Sequence, residues 1–142
     1  MTFPPWVRLG RYGNVLISPF GAVAQGAEMN WKNIRLELAS TEEFPAGSVS
    51  RAYLIALPLD DQDTVDEAAV VRSPNRATVR RHWSTDPDES GLVMRYDGRW
   101  YLNCDGKERV LDLDSQPVRL GTRVTVVETD GKVFPFRVAS VR

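Results

Sequence analysis

Cysteine, histidine and lysine are all scarce in this chain: one Cys, one His and three Lys among 142 residues. The lone thiol, Cys104, can form neither an internal disulfide nor a Cys-rich zinc site, which fits a reducing compartment and gives a cytoplasmic expectation. With His82 the only imidazole, all histidine-based metal or nucleophilic chemistry rests on one side chain. A Cys104–His82 pair would suffice for nucleophilic catalysis if the imidazole lowered the thiol pKa. Asp105, next to Cys104, would oppose thiolate formation there. The chain also lacks a Gly-x-Ser-x-Gly elbow, a Walker loop and a dinucleotide fingerprint following a strand. No apolar run approaches the ~18 residues needed to span a bilayer. Net charge is −1, so no whole-chain field draws the protein to nucleic acid or an acidic membrane. No catalytic residue, metal or cofactor is therefore assigned.

What is present belongs to a globular domain. The 42% hydrophobic and 26% charged fractions, at this length, fit one domain with its own core. Charge is uneven: residues 1–71 carry five basic and nine acidic groups, residues 72–142 thirteen and ten. Fifteen of the eighteen basic residues are Arg, which suits carboxylate or phosphate recognition and equally a GC-rich coding bias.

Residues 1–33 read as an irregular, apolar arm packed on the domain or on a partner. Arg8 and Arg11 precede a segment ending in Ala22-Val23-Ala24, which imitates a secretory signal. Asn14, Ser18 and Pro19 interrupt it, and it is read as retained. From Ile34 the pattern turns to strands. Ile34-Arg35-Leu36-Glu37-Leu38 alternates with period two, and Val49–Leu57 is apolar on both faces. Thr64 with Glu67 forms a capping-box pattern for one short helix near residues 64–71. The acidic group Asp60, Asp61, Asp63, Asp66 and Glu67 fails the calcium-loop pattern, because positions six and twelve from Asp61 are Asp66 and Arg72. Asp97-Gly98, Asp105-Gly106 and Asp130-Gly131 then mark hairpin turns. Two-residue turns pair Arg95 with Trp100, Met94 with Tyr101, Val127 with Phe134 and Val126 with Pro135. Pro135 suggests that Lys132–Val138 is a sheet edge. The expectation is an all-β, mostly antiparallel single domain over residues 1–142, either a two-sheet sandwich or a partly open barrel.

Two surface features suggest binding. Arg76, Thr78, Arg80 and His82 share one strand face, with Arg81 on the other; Arg76, Arg80, Arg81 and His82 form a candidate anion site. A solvated outer face explains the same pattern. Arg76-x-x-x-Arg80 followed by Asp88-x-Ser90-Gly91 resembles the motifs of PilZ domains, β-barrels that bind cyclic di-GMP. That family has two residues between its Ser and Gly, whereas Gly91 follows Ser90 directly, so the motif is incomplete. Trp83, Tyr96, Trp100 and Tyr101 near the arginines would form a stacking platform if they shared a face. The second feature is the apolar arm with the proposed edge, giving Trp6, Phe20, Trp31 and Pro135 as interface candidates. The expected function is non-catalytic association with a protein partner or with a second copy. A small anionic ligand is the alternative, and a hydrolase-type enzyme with an unrecognised site the third.

Overall fold

The computed structural model describes residues 30–113 and 116–142. The chain divides into two units, Met1–Trp31 and Lys32–Arg142, and the second carries the fold. The expected arm, with Trp6 and Phe20, lies outside the described residues, apart from its last few positions.

Strands form where the alternation is. They are β1 (Trp31–Leu38), β2 (Ser48–Pro58), β3 (Thr78–Trp83), β4 (Glu89–Tyr96), β5 (Arg99–Cys104), β6 (Lys107–Asp112), β7 (Arg123–Val127) and β8 (Val133–Val141). Each is joined to its sequence neighbour, and β8 returns to β1, closing an antiparallel barrel. Of the two expected architectures, the barrel is correct. Eight strands enclose an interior just wide enough for side chains to fill it. Ile34, Leu36 and Leu38 supply one wall, and Tyr53, Ile55 and Leu57 the next. Val79, Val93, Leu102, Leu111, Val124, Val126, Phe136 and Val138 complete the packing. Tyr53 and Phe136 meet edge to face, centroids 5.2 Å apart, a geometry that adds to their burial energy.

Turn chemistry sets the registers. Asp97 (φ 52°) and Gly98 (φ 73°) make the two-residue turn, and Arg95 pairs with Trp100 and Met94 with Tyr101 as expected. The last hairpin differs. Gly131 N–H donates to the Glu128 carbonyl and Glu128 N–H to the Lys132 carbonyl, a three-residue loop with Gly131 at φ 85°. One extra loop residue slips the pairing to Val126–Phe134, Thr125–Pro135 and Val124–Phe136. Because side chains alternate, that slip turns Val124 and Val126 inward in place of Thr125 and Val127.

The proposed edge is also corrected. β8 is paired on both sides, with β7 and with β1. Pro135 sits within it, and its carbonyl accepts from Ala39 N–H at 2.9 Å. Barrel closure removes the edge that a lone hairpin containing proline would have left.

The helix is shorter than expected. α1 (Glu67–Arg72) is capped by Asp66, whose side chain accepts from Ala69 N–H, and not by Thr64. Thr64 belongs to the preceding loop, where the Asp60 carboxylate accepts from the N–H groups of Gln62 and Thr64. α1 packs on β2, with Ala69 and Val70 buried.

Closure also requires close backbone approach at Gly91. A Cβ there would stand 1.7 Å from the Asn103 carbonyl oxygen on β5, a backbone atom that cannot swing aside. Gly91→Ala is expected to destabilise the barrel by at least the about 1–3 kcal/mol typical of overpacking. Urea unfolding measures it; an unchanged midpoint contradicts this account.

Candidate functional site: the charged barrel mouth and the outer faces

Charge enters the barrel at the end where β3 finishes and β4 begins. Arg81 occupies an inward position of β3, two residues after Val79 and opposite Tyr53. Arg109 occupies the matching position on β6, opposite Leu102. Both are nearly inaccessible, at 7% and 3%. Isolated guanidinium groups there would be very costly, so each must be paired. Glu128, turned inward just after β7, supplies the partner. Its carboxylate accepts from Tyr53 OH (2.5 Å), Arg109 Nε (2.8 Å) and Arg81 Nη2 (3.4 Å). Arg81 Nε donates to Tyr53 Oη at 3.2 Å, and the Arg81 guanidinium stacks 4.1 Å from the Trp83 ring centroid. Glu89 accepts from Arg109 Nη1 (3.1 Å) and Lys107 Nζ (3.3 Å).

The protonation equilibria follow from this packing. Burial, then the Glu128 carboxylate, push the Tyr53 phenol far above its ordinary value. Partial burial acts to raise Glu89, but Arg109 and Lys107 outweigh it and hold the carboxyl below its ordinary value. Burial acts to lower Arg109, but Glu128, Tyr53 and Glu89 together raise it. All three shifts run away from neutrality, the reverse of what a general acid or base needs. A cleft of about 300 Å³ opens above the network. Its lining holds four cations (Arg81, Lys107, Arg109, Lys132) and four carboxylates (Asp86, Glu89, Glu128, Asp130), so its charge cancels. The mouth is a polar part of the core whose formal charges balance.

The arginine row divides as the alternation requires. Arg81 joins the network. Arg80 and His82 face outward, and Arg76 lies in the 3-10 turn Pro74–Arg76 before β3. His82 Nδ1 lies 2.9 Å from Asp88 Oδ1. Cys104 is completely buried at an inward position, on the opposite side of the barrel wall from His82, so the two do not form a nucleophilic pair. Burial, chiefly, raises the Cys104 thiol to about 11. The acidic group near α1 is dispersed: Asp60 and Asp66 cap backbone, Asp63 pairs with Arg119, and Glu67 pairs with Arg95. Among the described residues no three metal-ligating side chains converge. No described helix is long and apolar enough to cross a membrane. Of the interface candidates, Trp31 opens β1 and Pro135 is half-buried inside β8.

The aromatic set is split by the same pleat. Trp83 and Trp100 take inward positions; Arg95 lies over Trp100 at 5.0 Å. Tyr96 and Tyr101 face out and stack on each other, centroids 4.1 Å apart and 11° from parallel. Tyr101 belongs to a feature that no single strand reveals. Met94, Tyr101, Val110, Val127 and Val133 are successive register partners across β4 to β8. They form an uncharged row on the outer wall, about 20 Å wide at the usual strand spacing. Met94 is 39% exposed and Val133 62%.

Two consequences of the charged mouth are measurable. Glu128→Ala leaves Arg81 and Arg109 buried without their shared carboxylate and is expected to cost about 3–5 kcal/mol, read from urea unfolding. Glu89 has a native pKa below its unfolded one. Its stabilisation is complete above the unfolded value of about 4.5 and is lost as pH falls through the native value. Glu89→Gln should therefore flatten the stability profile below about pH 4.5; an identical acid limb in variant and parent contradicts the pairing. No protein-family model, curated protein or solved structure matches this chain, which leaves its own surfaces as the guide to function.

Proposed function

We propose that this barrel is a non-catalytic association domain and that its outer β4–β8 face binds a second copy of the chain. The observation that carries this reading is the Met94–Tyr101–Val110–Val127–Val133 row, an uncharged stripe continuous over five strands. A two-fold interface needs a patch complementary to itself. Consider an axis parallel to the strands, between β5 and β6. It sets Tyr101 against the second copy's Val110 and Met94 against its Val127. On one flank Arg99 meets Asp112, and on the other Asn103 meets Glu108. Two flat sheet faces pack in this aligned manner in sandwiches. The row is the centre of such an interface, since a stable one covers about 800 Å² per partner. The lone cysteine supports placing this association in the cytoplasm.

Sedimentation of the full chain over a wide concentration range tests the proposal. The expected result is a monomer–dimer equilibrium that Val110→Lys shifts to monomer. A monomer at every concentration, or a dimer indifferent to Val110→Lys, would overturn the reading.

A further inference from the structure

Beyond the β4 end of the apolar row lies an open groove of about 810 Å³, bordered by β1, β2, β3, β4 and the end of β8. That volume is within the range of small-molecule sites. Its outward residues come in register pairs: Leu54 opposite Arg80, Arg80 opposite Ser90, and Thr78 opposite Leu92. Leu54 and Leu92 are half-buried, and Arg80 is exposed.

Two observations set this groove apart from the charged mouth. Arg35, Arg80 and Arg142 are among its lining residues, and no Asp or Glu is among the described ones. Arg35 is already engaged by Glu37 at 2.7 Å. The Arg80 side chain has no hydrogen bond or ion pair with any described residue, and its cross-strand neighbours Leu54 and Ser90 stand on either side. A guanidinium with a leucine on one side and a serine hydroxyl on the other, and no protein partner, suits an anion that carries an apolar body. Ser90 and Thr78 add hydroxyl donors on the same wall.

We infer that this groove binds a small amphipathic anion, its carboxylate on Arg80 and its hydrocarbon along Leu54 and Leu92. The groove adjoins the proposed dimer face at β4, but Arg80 and Leu54 lie outside that row, so either can fail without the other. Octanoate is the probe, titrated into the full chain by calorimetry and by amide chemical-shift mapping. Octan-1-ol and acetate serve as controls for the head and the tail. The expected result is saturable octanoate binding that shifts the amides of Leu54, Arg80 and Leu92. Octan-1-ol and acetate should each bind at least tenfold more weakly. Arg80→Gln should lose about tenfold or more in octanoate affinity, the usual worth of a charge-assisted hydrogen bond. Its melting temperature, being that of an exposed substitution, should stay close to the parent's. Absence of octanoate binding, equal binding of octan-1-ol, or unchanged affinity in Arg80→Gln would each overturn the inference.

Discussion

The Glu128 carboxylate, held between Arg81 and Arg109, is the constraint around which the upper half of the barrel is arranged. It joins β3, β6 and the β7–β8 turn, and through Tyr53 it reaches β2. Sealing that end with leucines would avoid the desolvation cost of burying three ionised groups. With the charges in place, however, strand register becomes strict. Moving β3 or β6 by one residue would send its guanidinium outward and take one donor from the buried Glu128 carboxylate. The one-residue slip of the last hairpin belongs to the same arrangement. The three-residue loop that turns Val124 and Val126 inward also brings Glu128 to the interior.

Closure determines where this protein can meet other molecules. A barrel offers no edge to pair with, so binding falls to its faces and grooves. The outer wall is chemically divided. β4 to β8 carry an uncharged row with stacked tyrosines, while β1 to β4 border a groove with arginines and no Asp or Glu among its described lining residues. The interior is packed with side chains, and the formal charges that line the mouth balance.

Local patterns were legible where one physical rule dominates. The alternation in Ile34–Leu38 gave a true inward face, and Asp97-Gly98 set the β4–β5 register, because positive φ at both turn positions admits one geometry. Asp130-Gly131 was misleading. The dipeptide is the same, but the loop holds one residue more, and a dipeptide does not specify the length of the loop around it. The helix cap moved from Thr64 to Asp66 because Thr64 is held by Asp60 in the preceding loop. Of the candidate anion residues, alternation correctly separated Arg81 from Arg80 and His82. Its destination was not legible, since Glu128 lies 47 residues away. Arg109 and Glu128 were not singled out at all. An Arg at an inward register position opposite Leu102 was the available signal, and it could be read only once the strands were paired.

By itself, the sequence determined the all-β class, most strand positions, two hairpin turns, and the lack of any familiar catalytic motif. Those properties rest on φ preferences and on period-two alternation, which act over a few residues. Only the tertiary structure decided that the strands close, that β8 has no free edge, and that Arg81, Arg109 and Glu128 meet. It alone aligned five strands into one apolar row and left the Arg80 side chain beside a groove with no Asp or Glu among its described lining residues. Closure and register couple residues dozens of positions apart, and no local pattern carries that information.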